Sequence, residues 1–250
     1  MARKPHRSRY WLTPGNDPDK DHKIADVCAL YEAAPALAKA GERVISTDEM
    51  TGVQALERTH PGLPLAPGKV ARREFEYIRH GTATFLLNFD VASGHVIAPT
   101  CGTTRTEADF LAHVQRTVAT DPQAGRWHWV CDNLNIHLSQ SLVRWIAERD
   151  ALPIDLGVFG ESGILHNMKT RAAFLCDPSH SVVFHYTPKH ASWMNQIEIW
   201  LSILMRKVIR RGNFSSIADV QSKVLAFIEY FNNTMAKPFA WTFKGKALAA

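Results

Sequence analysis

The sequence predicts a mixed α/β fold, a five-stranded sheet in the order 3-2-1-4-5 flanked by helices. Three observations lead there. Runs rich in β-branched and aromatic residues recur through the first hundred positions, two of them joined by the tight-turn pair Ser93-Gly94. Two later apolar runs, Trp127 to Asp132 and Val182 to Tyr186, each follow a helical stretch. Two amphipathic helices then close the chain.

In chain order, residues 1 to 22 are polar, basic and Pro-containing and read as a linker. Residues 23 to 250 read as the folded unit. A helix is expected over 23 to 40, a strand over 43 to 48, and a Pro/Gly-rich loop through His60 to Lys69. Phe75 to Arg79, Thr82 to Asp90 and His95 to Thr100 read as strands. Thr106 opens a helix to about Ala119, and Ser139 is placed to cap another that runs to Arg149. Ala151 to Ser181 reads as irregular. After the strand at 182 to 186, helices are expected over 192 to 211 and 217 to 233.

With 250 residues and 46% hydrophobic content, the chain can bury a full core. A net charge of +5 leans mildly towards a polyanionic partner, and the basic residues cluster at Arg3 to Arg9, Lys69 to Arg73, Arg206 to Arg211 and Lys237 to Lys246. The four cysteines are scattered without metal-ligand spacing, which suits reduced thiols and a cytoplasmic location. No signal-peptide pattern and no apolar run of about 18 residues points to export or to a membrane.

Three carboxylates stand in settings that suggest chemistry. Asp48 closes the strand-like RVISTDE, and Asp132 closes WHWVCDN. If those strands are neighbours, both acids reach one sheet edge and can share a cation. A third acid must then come from an element packed alongside. Glu198 is available in a helix whose apolar positions are Met194, Ile197, Leu201, Leu204, Met205 and Val208. An acid at the border of an apolar stripe either has a cation partner or marks the exposed rim, and periodicity alone supports both equally.

Three meandering strands followed by two helix-linked strands is the order of a ribonuclease-H-like sheet, whose first and fourth strands are central neighbours. Within it, STDEMTGVQALER, CDNLNIHLS and HYTPKHASWMNQIEIWLSIL resemble the three blocks of the DDE transposases of bacterial insertion sequences, in the IS six-thirty group of the mariner superfamily. The resemblance runs from about Lys4 to the C-terminus. It implies that Asp48, Asp132 and Glu198 are the catalytic acids of an enzyme that cuts double-stranded DNA at element ends and joins the 3′ ends to target DNA, usually at TA. A homodimer is compatible with it.

Two departures stand out. Asp132 and Glu198 are 66 positions apart, longer than in mariner relatives, and the surplus falls in Ala151 to Ser181. A surface insertion of that size costs little closure entropy and should leave the acids together. Family members also carry helix-turn-helix modules ahead of the core, and this chain opens in what resembles the linker after them. An N-terminally truncated transposase, or one half of a split coding sequence, is therefore expected.

The chemistry agrees with the resemblance. In-line attack on a phosphodiester needs charge relief on both sides of phosphorus, which two Mg²⁺ (or Mn²⁺) ions supply. Carboxylates on separate rigid elements can hold two hard cations. Asp48 is assigned as the bridging ligand, with Asp132 on one ion and Glu198 on the other, and no dedicated protein base is needed.

The neighbours divide. Strand alternation turns Glu49 away from Asp48, which favours a structural or surface role over ligation. Asn133, Asn135 and His137 sit where they could support the ligands, contact DNA or serve loop and cap hydrogen bonds. His190 and Asn195 lie in the block shared with the family, which implies a substrate-facing role. Arg206, Lys207, Arg210 and Arg211 close the Glu198 helix, where they complement its dipole and can also touch a DNA backbone. His185 and His190 lack a third ligand for zinc, and Gly157, Gly160 and Gly163 lack the Lys-Ser/Thr of a phosphate loop. Two other readings fit the same residues. One is a catalytically impaired remnant acting as a DNA-binding inhibitor, and the other is a ribonuclease-H-like nuclease for another nucleic acid.

Overall fold

A computed structural model describes residues 17–243. The elements follow one another as α1 (Lys20–Lys39), β1 (Glu42–Arg58), β2 (Tyr77–Asp90), β3 (Val96–Gly102), α2 (Glu107–Val118), β4 (Arg126–Cys131), α3 (Gln140–Arg149), α4 (Met168–Leu175), β5 (Val182–Tyr186), α5 (Ile197–Leu204) and α6 (Ile217–Thr234). The five strands form one sheet in the order β3-β2-β1-β4-β5. β1 pairs antiparallel with β2 and β2 with β3, whereas β4 runs parallel to both β1 and β5. This is the ribonuclease-H-like arrangement expected from the element order.

Strand alternation divides the core in two. Val44, Phe85, Leu87, Phe89 and Val130 point to one face and pack with residues of α1, α5 and α6, among them Tyr31, Trp200 and Val224. Ile45, Trp127, Trp129 and Phe184 point to the other and pack with Phe110, Ile146 and Leu175 of α2, α3 and α4. Because the central strands are covered on both sides, they read as nearly continuous apolar runs.

The ends of elements carry local signals. Thr106 accepts from the Asp109 amide while the Asp109 side chain returns to the Thr106 amide, a capping box that starts α2. Ser139 caps α3 by accepting from Leu142 N, as its position suggested.

Four expectations change. β1 does not stop at Thr47 or Asp48 but runs on to Arg58, because β2 keeps pairing with it across two register shifts as far as Tyr77. The runs at 75–79 and 82–90, expected as separate strands, form one strand that passes through Gly81 at φ 109°. The expected helix over 192–211 is a 3₁₀ turn (Ser192–Met194), then α5, then a π-helical turn (Met205–Ile209). The stretch 151–181 contains α4, started by an Asn167 capping box. It holds no strand, so β5 is the next strand after β4.

That stretch is more than a surface excursion. Leu165 and Leu175 are fully buried beneath α3 and β5. The buried Arg171 donates to the carbonyls of Leu138 and Leu165 at 2.6 and 3.1 Å. A parallel β4–β5 connection must cross one face of the sheet, and α3 and α4 together provide that cover. Of the expected linker, Lys20 to His22 belong to α1, and residues 1–16 lie outside the described residues, as do Arg3 to Arg9 and Lys244 to Lys246 of the basic clusters.

Candidate active site

The site grows out of the register between β1 and β4. Their parallel ladder runs from Glu42↔Arg126 to Ser46↔Val130. Two positions further on, the same register sets Asp48 level with Asp132 on adjacent rungs, about 4.8 Å apart between strands. Alternation puts both on the Val44/Ser46/Val130 side, which is the α5 side of the sheet. β4 ends at Cys131, so Asp132 leaves the strand end. Asp48 does not, because β1 continues against β2 alone, with Asp48 opposite Leu87.

Glu198 arrives from α5, whose start is fastened to the residues just before Asp48. The Ser46 hydroxyl donates to Asn195 Oδ1 and accepts from Ile197 N at 2.8 Å. Asn195 Nδ2 donates to the Thr47 carbonyl at 2.7 Å. On the other side of the turn, the Tyr31 hydroxyl donates to the Met194 carbonyl at 3.0 Å. These bonds interrupt the helix before Ile197 and leave Glu198 in the first turn of α5. There an acid is favoured by the helix dipole.

Electrostatics tie the three acids together. Burial, followed by the charges of Glu49, Glu198 and Asp132, pushes the Asp48 carboxyl up to about 7, although the Glu49 amide donates to it at 2.8 Å. Asp132 goes the other way. Burial raises it, but bonding and charge from His137, the Leu134 amide and Arg105 outweigh burial and leave it below its ordinary value. Among the described residues no three His, Cys, Asp or Glu side chains close on a single point, so the acids form an open set and not a cage. An all-oxygen, like-charged donor set of this kind suits a hard divalent cation, which would relieve the repulsion that lifts Asp48.

His137 underlies Asp132. It is fully buried, with Nδ1 at 2.8 Å from Asp132 Oδ1 and Nε2 at 2.6 Å from Glu49 Oε1. Burial works against its cation, but the Cys131 thiol, Asp132 and Glu49 outweigh it and hold its pKa well above the ordinary histidine value. Glu49 was read as structural or surface, facing away from Asp48. It does face away, with its side chain only 2% exposed, and Arg105 approaches it at 4.0 Å.

The other candidates separate. Asn133 Nδ2 donates to the Thr187 carbonyl at 2.6 Å, which ties the loop after β4 to the end of β5. Asn135 is exposed in the 3₁₀ turn that follows. His190 is exposed at φ 60° and, with Lys189 and Ser192, lines a hollow of about 360 Å³ whose wall includes Asp132. Asn195 is a correction: a substrate-facing role was expected, but the residue is 1% exposed and both side-chain polar atoms are spent on β1. Arg206, Lys207, Arg210 and Arg211 are exposed beyond the far end of α5 from Glu198, and among the described residues none has an acidic partner. Arg210 and Arg58 flank a groove of about 290 Å³ between β1 and the π-helical turn, with Met50, Met205 and Phe214 on its walls. Sequence reasoning missed Arg58, Arg105 and Lys189. For Lys189 and Arg58 the signal was their position in the Glu198 and Asp48 blocks, and for Arg105 there was none.

Known proteins share the fold. The chain superposes on the catalytic domain of the Mos1 mariner transposase with TM-score 0.50 at 10% identity, covering 88% of this chain and 85% of that one. It superposes on a pre-cleavage Mos1 transpososome with TM-score 0.50 at 12% identity, covering 90% of this chain. It spans 60% of that longer Mos1 chain. No curated protein matches in sequence. The DDE superfamily endonuclease family matches residues 43–221, which takes in all three acids. On that match, the chain belongs to the DDE superfamily of endonucleases.

Proposed function

We propose that the protein is the catalytic part of a transposase that cuts double-stranded DNA at element ends and joins the 3′ ends to target DNA at TA steps. The carrying observation is Asp48, pushed up to about 7 beside Asp132 and Glu198 on the α5 side of the sheet. Accumulated negative charge at a sheet edge is costly unless a cation answers it. The fold shared with the Mos1 transposase supports the same reading.

In this reading Asp48, Asp132 and Glu198 would hold two Mg²⁺ or Mn²⁺ ions, with Asp48 shared between them. The ions, when bound, supply charge relief at the scissile phosphate. The chain's own residues set the geometry. β1 and β4 hold two of the acids level, and the Ser46–Asn195 bond keeps the start of α5 against them. Asn133 and Asn135 frame the loop around Asp132, and Lys189 and His190 offer the hollow beside it to a phosphate. Arg206, Lys207, Arg210 and Arg211 take the DNA backbone as it leaves the acids, and a homodimer would bring two ends together. The likeness of the three blocks supports membership of the IS six-thirty group.

The test is nicking or joining of plasmid DNA with Mn²⁺. Asp132→Asn should reduce it to background while DNA binding persists and weakens as salt rises, since phosphate contacts survive the change. Undiminished cleavage by Asp132→Asn would overturn the assignment.

A further inference from the structure

We propose that Glu49 and His137 form a positioning pair that aims Asp132 at a bound cation from the opposite face of the sheet. The proposal rests on reading Asp48, Asp132 and Glu198 as the cation-binding acids. It adds a fourth carboxylate, on the far side, that acts without touching the cation.

The geometry is closed at every joint. The Glu49 carboxylate only accepts, so His137 Nε2 donates to Glu49 Oε1 at 2.6 Å, while Nδ1 donates to the Asp132 backbone carbonyl at 3.1 Å and lies 2.8 Å from Asp132 Oδ1 as an ion pair. The ring is fixed between them. The Phe110 ring lies 4.4 Å away centroid to centroid, and the Tyr186 hydroxyl donates to the His137 carbonyl at 2.8 Å. Asp132 Oδ1 accepts a hydrogen bond from Leu134 N at 3.0 Å. The Leu134 hydrogen bond and the His137 ion pair on one oxygen restrain the carboxylate and leave Oδ2 as the oxygen to offer.

The arrangement makes poor sense as packing alone. Burying a charged pair rarely stabilises a fold more than apolar residues of the same volume would. Here the buried pair, 0% and 2% exposed, ends on a third carboxylate that is 43% exposed at the site. Charge buried in this way is best explained by its partner's orientation. Groups that hydrogen-bond a ligand from behind fix its direction, and their loss typically lowers metal affinity about 10- to 100-fold.

The test is Mn²⁺ affinity of the full chain, read by calorimetry beside the Tm of the metal-free protein. Glu49→Gln keeps the shape and an accepting oxygen, and should lower Mn²⁺ affinity about 10-fold or more. His137→Ala should lose at least as much. His137→Asn, whose amide can still donate to Asp132, should recover part of that loss. This Ala-to-Asn recovery carries the test should Glu49→Gln fail to fold. Variants that lower the Tm yet bind Mn²⁺ as the unmodified chain does, with no difference between Ala and Asn, would overturn the pair as a positioning device. Asp132→Asn distinguishes that failure from failure of the site. Lost Mn²⁺ binding there, with none lost in Glu49→Gln, sinks the pair alone, whereas unchanged binding there sinks the cation site on which the pair depends.

Discussion

Asp48 and Glu49 are consecutive carboxylates on one strand, and they meet opposite electrostatic conditions. Asp48 faces α5 among like charges, and nothing among its described neighbours offers it a cation. Glu49 faces α2 and α3, bonded to His137 with Arg105 close by. The sheet therefore keeps one face charge-balanced and leaves the other unbalanced. In the proposed function the unbalanced face binds the metal, and the balanced face supports it without competing for the ion.

Replacing the unbalanced acid tests this comparison with the largest effect. Asp48→Asn should reduce DNA cleavage to background while raising the Tm of the metal-free protein by a few degrees, because a repelled, half-buried charge is gone. A fall in Tm would mean that Asp48 is held by favourable contacts and that the faces are alike.

The pH dependence sharpens the same contrast with a smaller effect. The Asp48 carboxyl is raised in the folded state, so its stabilising contribution is complete below its unfolded value near 3.8 and is lost as pH rises through about 7. His137 is also raised, so its contribution is complete below its unfolded value near 6.5 and is lost as pH rises from there through its elevated value. The Tm gain on adding Mg²⁺ should therefore be larger at pH 8 than at pH 6, where protons compete for Asp48. Equal gains at both pH values would contradict the raised Asp48.

Much of the fold was legible because local signals and long-range pattern agreed. Ser93-Gly94 fixed the turn before β3, Ser139 marked the start of α3, and the apolar runs ending at Cys131 and Tyr186 had no other use than buried strands. The acids were legible because each stood at an edge of such a pattern. The length of β1 was not, since Thr51, Gln54 and Glu57 carry no apolar alternation, and their pairing depends on β2 following through two register shifts. The interruption before α5 was hidden too, because it rests on Ser46 meeting Asn195 from 149 positions away. Alternation assigned Glu49 to the far face, but its partner His137 lies 88 positions on. Contacts between side chains so far apart leave no periodic trace in one sequence.

The central claim is that Asp48, Asp132 and Glu198 converge on divalent cations at the α5 side of the sheet. Crystals of the protein soaked in Mn²⁺ test it directly through anomalous scattering. The account predicts Mn²⁺ between these three carboxylates, with His137 and Glu49 outside its coordination sphere. Mn²⁺ bound at Glu49, or none within reach of Asp48, would contradict it.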